Sequence, residues 1–215
     1  MITSKIPECA TEEGIKFTSE AVGTSIIFYD LKLAERKILE KFYCIAQAGI
    51  IKKYPDSLEI TISERIPIAA LVEIDLEPAI AVATQSVSIL ATNSAIFAID
   101  KQGILFQNLP NNSALPKVFA SFNLKIPGQI TAQEISWLLE FLQAAEKFNL
   151  AFDKFTKTSE GFFFGETQDG IKLILSPRTE AAKTASSLQA ILRQAKIEGA
   201  KFTTLDLRFE KPVIR

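Results

Sequence analysis

The sequence contains no histidine at any of its 215 positions. Histidine is the commonest general base near neutral pH and the commonest metal ligand in proteins. The chain alone therefore cannot build a Ser-His-Asp or Cys-His catalytic apparatus, and a zinc site of cysteine and histidine is excluded as well. Its nine glycines are scattered, so no glycine-rich loop that could hold a phosphate is present. We expect a protein that is not an enzyme, with no cofactor and no small-molecule substrate.

Cysteine is scarce too, with only Cys9 and Cys44 in the chain. Their spacing matches no zinc motif. They are either two separate buried thiols or one disulfide, and a location outside the cytoplasm would favour the disulfide.

Charge of one sign and long hydrophobic runs are also lacking. The formal net charge is −1, which gives no sign of a polyanionic partner such as nucleic acid. The longest uncharged stretch, Pro78 to Ile99, holds too many Ser, Thr, Asn and Gln residues for a membrane span, and its alternation favours strands. We expect either a soluble protein or one whose N-terminal anchor lies outside this chain.

The first seventy residues follow the order helix, helix, strand, strand. Asp30 can cap the second helix, in which one polar residue, Glu35, interrupts the apolar face. The turn at 54–57 joins the two strands. The predicted elements are a helix over 11–23, strands over Ala46–Lys53 and Leu58–Glu64, and a possible leading strand over Ile2–Ile6. This order predicts a small α+β module.

The rest of the chain predicts a mixed or antiparallel sheet flanked by two helices. Thr131 and Glu134 have the spacing of a capping box, which predicts the start of a helix that runs to about Asn149. Ser176-Pro177 predicts the start of a second helix, which ends at Gly199. The predicted strands lie at 68–74, 80–90, 95–100, 104–107, 117–124, 152–157, 162–167 and 171–175. In the run Phe162-Phe163-Phe164, alternate residues should be buried.

Apolar and polar residues alternate through Thr203–Phe209, which is typical of a half-buried strand. Asp206 and Arg208 would lie on one face of this strand, where opposite charges can pair. A strand at the edge of a sheet leaves main-chain N–H and C=O groups unpaired, and a partner chain can cover them by adding a strand. The segment is therefore a candidate binding site.

Three segments together resemble one protein family. The first is Ile51–Ala69, a strand-turn-strand that ends in Glu64-Arg65-Ile66-Pro67-Ile68-Ala69; the second is Asp100-Lys101-Gln102-Gly103 with Leu115-Pro116; the third is Leu205-Asp206-Leu207-Arg208-Phe209. They are similar to the bacterial cell-division family FtsQ, also called DivIB. The resemblance implies a POTRA domain over 1–70 and a β-domain over 71–215. It also implies a cytoplasmic tail and a membrane anchor, which this chain does not show.

The resemblance also implies a partner. In the family, the last strand of the β-domain receives a strand from FtsB (DivIC), which coils with FtsL. For this chain, the resemblance implies a non-enzymatic scaffold that helps control septal peptidoglycan synthesis. Such a scaffold would lie at the septum, on the extracytoplasmic face of the cytoplasmic membrane. Phe209 would be an apolar anchor, Arg208 a charged contact, and the main chain of 209–214 the pairing edge. The implied partner-binding residues are Arg208, Phe209, Glu210, Lys211, Pro212, Val213 and Ile214. Outside the cytoplasm, a Cys9–Cys44 disulfide would tie the start of the module to its second helix.

A different POTRA-bearing protein, one that assists secretion or outer-membrane assembly, is the alternative. Such a protein would need a barrel or further repeats, and the 215 residues show neither.

Overall fold

The structure is a computed structural model that describes residues 23, 25–74, 96–109, 113–121, 126–209 and 211–215. The chain forms two compact units, Met1–Ile66 and Pro67–Arg215. The predicted helix over 11–23, except for Gly23, lies outside the described residues, as do the predicted strands over Ile2–Ile6 and Ile80–Leu90.

The first unit contains one described helix and one hairpin. Helix α1 covers Leu31–Lys41, strand β1 covers Ile45–Lys53, and strand β2 covers Ser57–Glu64. Asp30 is the N-cap of α1, because its carboxylate accepts a hydrogen bond from the N–H of Leu33 at 3.0 Å. The two strands pair antiparallel along their length. The predicted second helix, its cap and the hairpin are confirmed.

Glu35 lies on the apolar face of α1 for a reason that the sequence did not show. Its carboxylate accepts a hydrogen bond from the main-chain N–H of Ile50 in β1 at 2.8 Å. Ala34 and Ile38 on the same helix are buried. The apolar residues hold α1 in place by packing, while Glu35 satisfies a main-chain donor that would otherwise lack a partner.

The second unit is a mixed sheet of ten strands with two helices. The strands are β3 (Pro67–Glu73), β4 (Ile96–Asp100), β5 (Ile104–Asn108), β6 (Lys117–Ala120), β7 (Gly128–Gln129), β8 (Phe152–Lys157), β9 (Phe163–Thr167), β10 (Lys172–Leu175), β11 (Thr204–Asp206) and β12 (Val213–Ile214). The helices are α2 (Gln133–Glu146) and α3 (Ala181–Glu198). The spatial order is β12-β11-β10-β9-β8-β6-β3-β4-β5-β7. The predicted α+β fold is confirmed.

The main core lies between the two helices and one face of this sheet. The pairing registers place a row of residues from successive strands on that face: Leu71, Val118, Phe155, Gly165, Leu173 and Leu205. All of them except the glycine belong to the buried cluster that also holds the inward side chains of α2, including Leu138 and Phe141. Position 165 favours glycine, because the Cβ of any other residue there would lie 2.7 Å from the ring of Phe155.

Both predicted helix starts were wrong. The N-cap of α2 is Ala132 and that of α3 is Glu180, and neither makes a side-chain capping bond. Ser176 instead closes a turn before α3, because its carbonyl accepts hydrogen bonds from the N–H and the hydroxyl of Thr179. Gly199 does end α3, with the left-handed conformation (φ +67°) that glycine adopts readily.

Candidate functional site

The predicted C-terminal strand is two short strands joined by a reversal. β11 stops at Asp206, and β12 returns antiparallel to it, with Leu205 opposite Ile214 and Asp206 opposite Val213. The single strand over Thr203–Phe209 was therefore wrong. Leu205, Asp206 and Leu207 are all buried, because β11 is an inner strand between β10 and β12.

The returning strand β12 forms one edge of the ten-stranded sheet. Thr204 and Arg215 exchange two main-chain hydrogen bonds, of 2.9 and 3.0 Å. Bonded and non-bonded pairs alternate along an antiparallel ladder, so the next pair, Leu205 with Ile214, is a non-bonded one. The N–H and C=O of Ile214 consequently point away from β11. They give the edge one outward donor and one outward acceptor.

Arg208 lies in the reversal and pairs with Asp206. Its Nη2 donates to Oδ2 of Asp206 at 2.7 Å, and its Nε donates to Oδ1 at 3.0 Å and to Oδ2 at 3.2 Å. The main-chain N–H of Arg208 also donates to Oδ1 of Asp206 at 3.1 Å. The pairing of these two residues is confirmed, although Arg208 follows the strand instead of lying within it.

Two aromatic rings cover the guanidinium of Arg208. Its Cζ lies 5.2 Å from the ring centre of Phe162 and 5.4 Å from that of Phe209. Arg178 approaches Phe162 as well, at 5.9 Å. Such cation–π contacts hold a charged side chain against aromatic surface. Phe162 and Arg178 are not among the predicted site residues, since nothing in the local sequence links either residue to position 208.

The structure brings most of the predicted partner-binding residues to this edge. Arg208 and Pro212 are half-buried, whereas Phe209 is 58% exposed and Ile214 is 53% exposed. Lys211 and Val213 are exposed too, and Glu210 lies outside the described residues. In the run at 162–164, Phe163 is buried and Phe164 is exposed, as predicted.

Cys44 is buried and disulfide-bonded. The only other cysteine of the chain is Cys9, which lies outside the described residues, so the predicted pairing stays a prediction.

Arg208 lowers the pKa of the Asp206 carboxyl below its ordinary value. The side-chain hydrogen bond from Arg208 is the largest cause; burial opposes it, and the main-chain N–H of Arg208 and the charges of Arg208 and Arg215 add to it. The side-chain hydrogen bond with Asp206 in turn raises the pKa of Arg208. Both groups are therefore ionised at neutral pH.

We expect the pair to be lost in acid. A carboxyl whose pKa is depressed on folding contributes stability above its unfolded pKa of about 3.9, and this contribution is lost as the pH falls through the folded value. A ¹³C NMR titration of the Asp206 carboxyl should give a pKa below 3.9. In the variant Arg208→Gln, the pKa of the Asp206 carboxyl should rise towards its ordinary value. An unchanged pKa in that variant would contradict the pairing.

Within the described ranges, no group of three or more Asp, Glu, Cys or His side chains could hold a metal ion. Across that same part of the chain, no helix combines the length and the apolar character that spanning a membrane requires.

A helix followed by a hairpin in one unit, and in the other a mixed sheet whose last strand among the described residues is β12, define a two-unit α+β protein. Residues 11–65 match the family model described as POTRA domain, FtsQ-type. The chain thus carries a POTRA domain of the FtsQ type, which confirms the predicted resemblance to FtsQ/DivIB. Domains of this type are generally non-enzymatic and imply an FtsQ/DivIB-like role in cell division. No curated protein matches the chain.

Proposed function

We propose that this protein is a non-enzymatic scaffold of the divisome that binds the FtsB/FtsL pair through β12. Residues 1–70 would be its POTRA domain and residues 71–215 its β-domain, on the extracytoplasmic side of the membrane. The open edge of β12 is the observation that carries the proposal. The disulfide at Cys44 supports the location, because disulfides persist in oxidising compartments.

The edge offers what strand addition needs. The outward N–H and C=O of Ile214 can bond one residue of an incoming strand and so fix its register. Phe209 leaves 58% of its surface exposed beside this edge and can anchor an apolar side chain of the partner. Pro212 has no N–H to donate, so pairing depends on the N–H of Ile214, two residues later. The partner thus receives its register from the main chain and part of its affinity from the aromatic ring.

Replacing Ile214 with proline tests the proposal. The pyrrolidine ring would remove the outward donor and obstruct an incoming strand, while the inward bonds between Thr204 and Arg215 stay in place. We expect the affinity for the extracytoplasmic segment of the cognate FtsB/FtsL pair to fall about 100-fold, from the lost bond and the steric clash together. Isothermal titration calorimetry measures it.

Two further variants make the result specific. Lys183→Ala changes an exposed residue of α3, outside the predicted binding residues, and should keep the wild-type affinity within about threefold. Val213→Pro removes an inward donor, so it should lose both partner binding and the protection of the Arg215 amide against hydrogen exchange. Wild-type affinity in Ile214→Pro would exclude strand addition at β12.

A further inference from the structure

We infer that Asp206, Arg208 and Phe162 form a clasp that holds β12 in its binding position, and that Arg208 is a positioning residue instead of a charged contact for the partner. This inference rests on the proposed function and changes the role that the resemblance implied for Arg208.

Most of the guanidinium of Arg208 already contacts residues of its own chain. The Nε–Nη2 side of its guanidinium, which suits a bidentate carboxylate, is bonded to both oxygens of Asp206. Its Cζ also lies 5.2 and 5.4 Å from the ring centres of Phe162 and Phe209. Asp206 is only 6% exposed and balances the positive charge. A partner carboxylate would have to compete with a carboxylate that is already in place.

The clasp spans the point at which the chain reverses. Asp206 is the last residue of β11 and lies opposite Val213, the first residue of β12. Leu207 is still bonded to β10 through its N–H, which donates to the carbonyl of Ile174 at 2.8 Å. The chain therefore turns away from the sheet at Arg208, where Asp206 binds both the side chain and the main-chain N–H.

β12 cannot hold its own position. It has two residues, and its ladder to β11 contains few hydrogen bonds. Phe162 belongs to the segment that leads into β9, so its contact with Arg208 ties the reversal to an inner part of the sheet. The clasp is what places the outward groups of Ile214 where a partner strand can reach them.

Asp206→Asn separates the two roles of Arg208, because they predict opposite effects. If Arg208 positions β12, Asp206→Asn and Arg208→Gln should each lower the affinity for the FtsB/FtsL segment by about tenfold or more, and the double variant should be no weaker than either single one. If Arg208 binds a partner carboxylate, Asp206→Asn frees its guanidinium, and the affinity should stay the same or rise.

A second measurement needs no partner. In the free protein, the Arg215 amide donates to the carbonyl of Thr204 and should lose its protection against hydrogen exchange in both variants. The Leu207 amide should keep its protection, which shows that the sheet is intact. Arg208→Lys should not restore either property, because a lysine ammonium lacks the planar fork that bonds both oxygens of Asp206. Arg193→Gln, at an exposed position of α3, is the matched control for the lost charge and should change nothing.

The results distinguish the clasp from the proposed function. Absence of binding by the wild-type chain would overturn the proposed function. The hydrogen-exchange protection of the Arg215 amide, which is measured in the free protein, would still test the clasp. Binding by the wild type together with undiminished binding by Asp206→Asn would overturn the clasp alone. Full protection of Arg215 in both variants would overturn it as well.

Discussion

Replacing Phe155 with alanine is expected to lower the free energy of unfolding of the Pro67–Arg215 unit by about 3–5 kcal/mol. Phe155 is fully buried in β8, and its ring meets those of Phe141 and Phe152 at centroid distances of 6.3 and 5.2 Å. The truncation removes these contacts and leaves a cavity that the surrounding strands can fill only in part. Urea unfolding followed by the fluorescence of Trp137, the one tryptophan of the chain, measures the loss within this unit.

The neighbouring strand provides the control for this prediction. Phe164 in β9 is 52% exposed, so Phe164→Ala should cost less than about 1 kcal/mol. Gly165 tests the same packing in the opposite direction. Gly165→Ala brings a Cβ to within 2.7 Å of the Phe155 ring and should destabilise the wild-type chain, but much less so a chain that already carries Phe155→Ala. Equal costs for Phe155→Ala and Phe164→Ala would contradict the described core.

Replacing Cys44 with alanine is expected to lower the stability of the Met1–Ile66 unit by about 2–4 kcal/mol, because the disulfide no longer restricts the unfolded chain. Hydrogen exchange of the amides that pair β1 with β2, such as those of Ile51 and Glu59, measures the loss. The reductant dithiothreitol should produce a similar loss in the wild type.

The same experiment tests the predicted pairing. If Cys9 is the partner of Cys44, then Cys9→Ala, Cys44→Ala and the double variant should be equally destabilised, because each removes the same bond. A wild-type exchange pattern in Cys9→Ala would show that Cys9 is not the partner. Trp137 fluorescence, which reports on the other unit, serves as the internal control.

Two observations support the proposed scaffold, and they concern different units of the chain. The match to the POTRA domain, FtsQ-type, concerns residues 11–65 and supports the resemblance to FtsQ/DivIB. The β12 edge belongs to the Pro67–Arg215 unit and gives the proposed route to a partner. The Ile214→Pro titration is therefore the decisive test, because it acts on the edge without touching the POTRA domain.

Local sequence patterns were sufficient for many of the elements. Asp30 with the apolar spacing of Ala34 and Ile38 specified α1, and the predicted strand over 152–157 has the bounds of β8. In α2 the apolar residues that the sequence spaces for one helix face are all buried: Ile135, Leu138, Leu139, Leu142 and Ala145. These predictions succeeded because a helix or strand repeats its burial at a fixed period, so that neighbouring residues contain the signal.

Other features depend on residues far apart in the chain. Glu35 lies half-buried on α1, where its carboxylate accepts a hydrogen bond from the main-chain N–H of Ile50, fifteen residues later. Arg208 is held partly by Phe162, which local sequence does not connect with it. The start of α3 depended on the turn that Ser176 closes with Thr179, which takes the place of a side-chain cap.

The sequence by itself determined the helix and hairpin of the first unit, most of the strands, the buried face of α2 and the absence of histidine chemistry. Only the tertiary structure decided that the last strand divides in two, that Asp206 and Arg208 close the reversal between its halves, and that Ile214 presents its main-chain groups at the sheet edge. The physical reason is that periodicity records which side of a strand is buried, whereas strand order and register depend on contacts between distant segments.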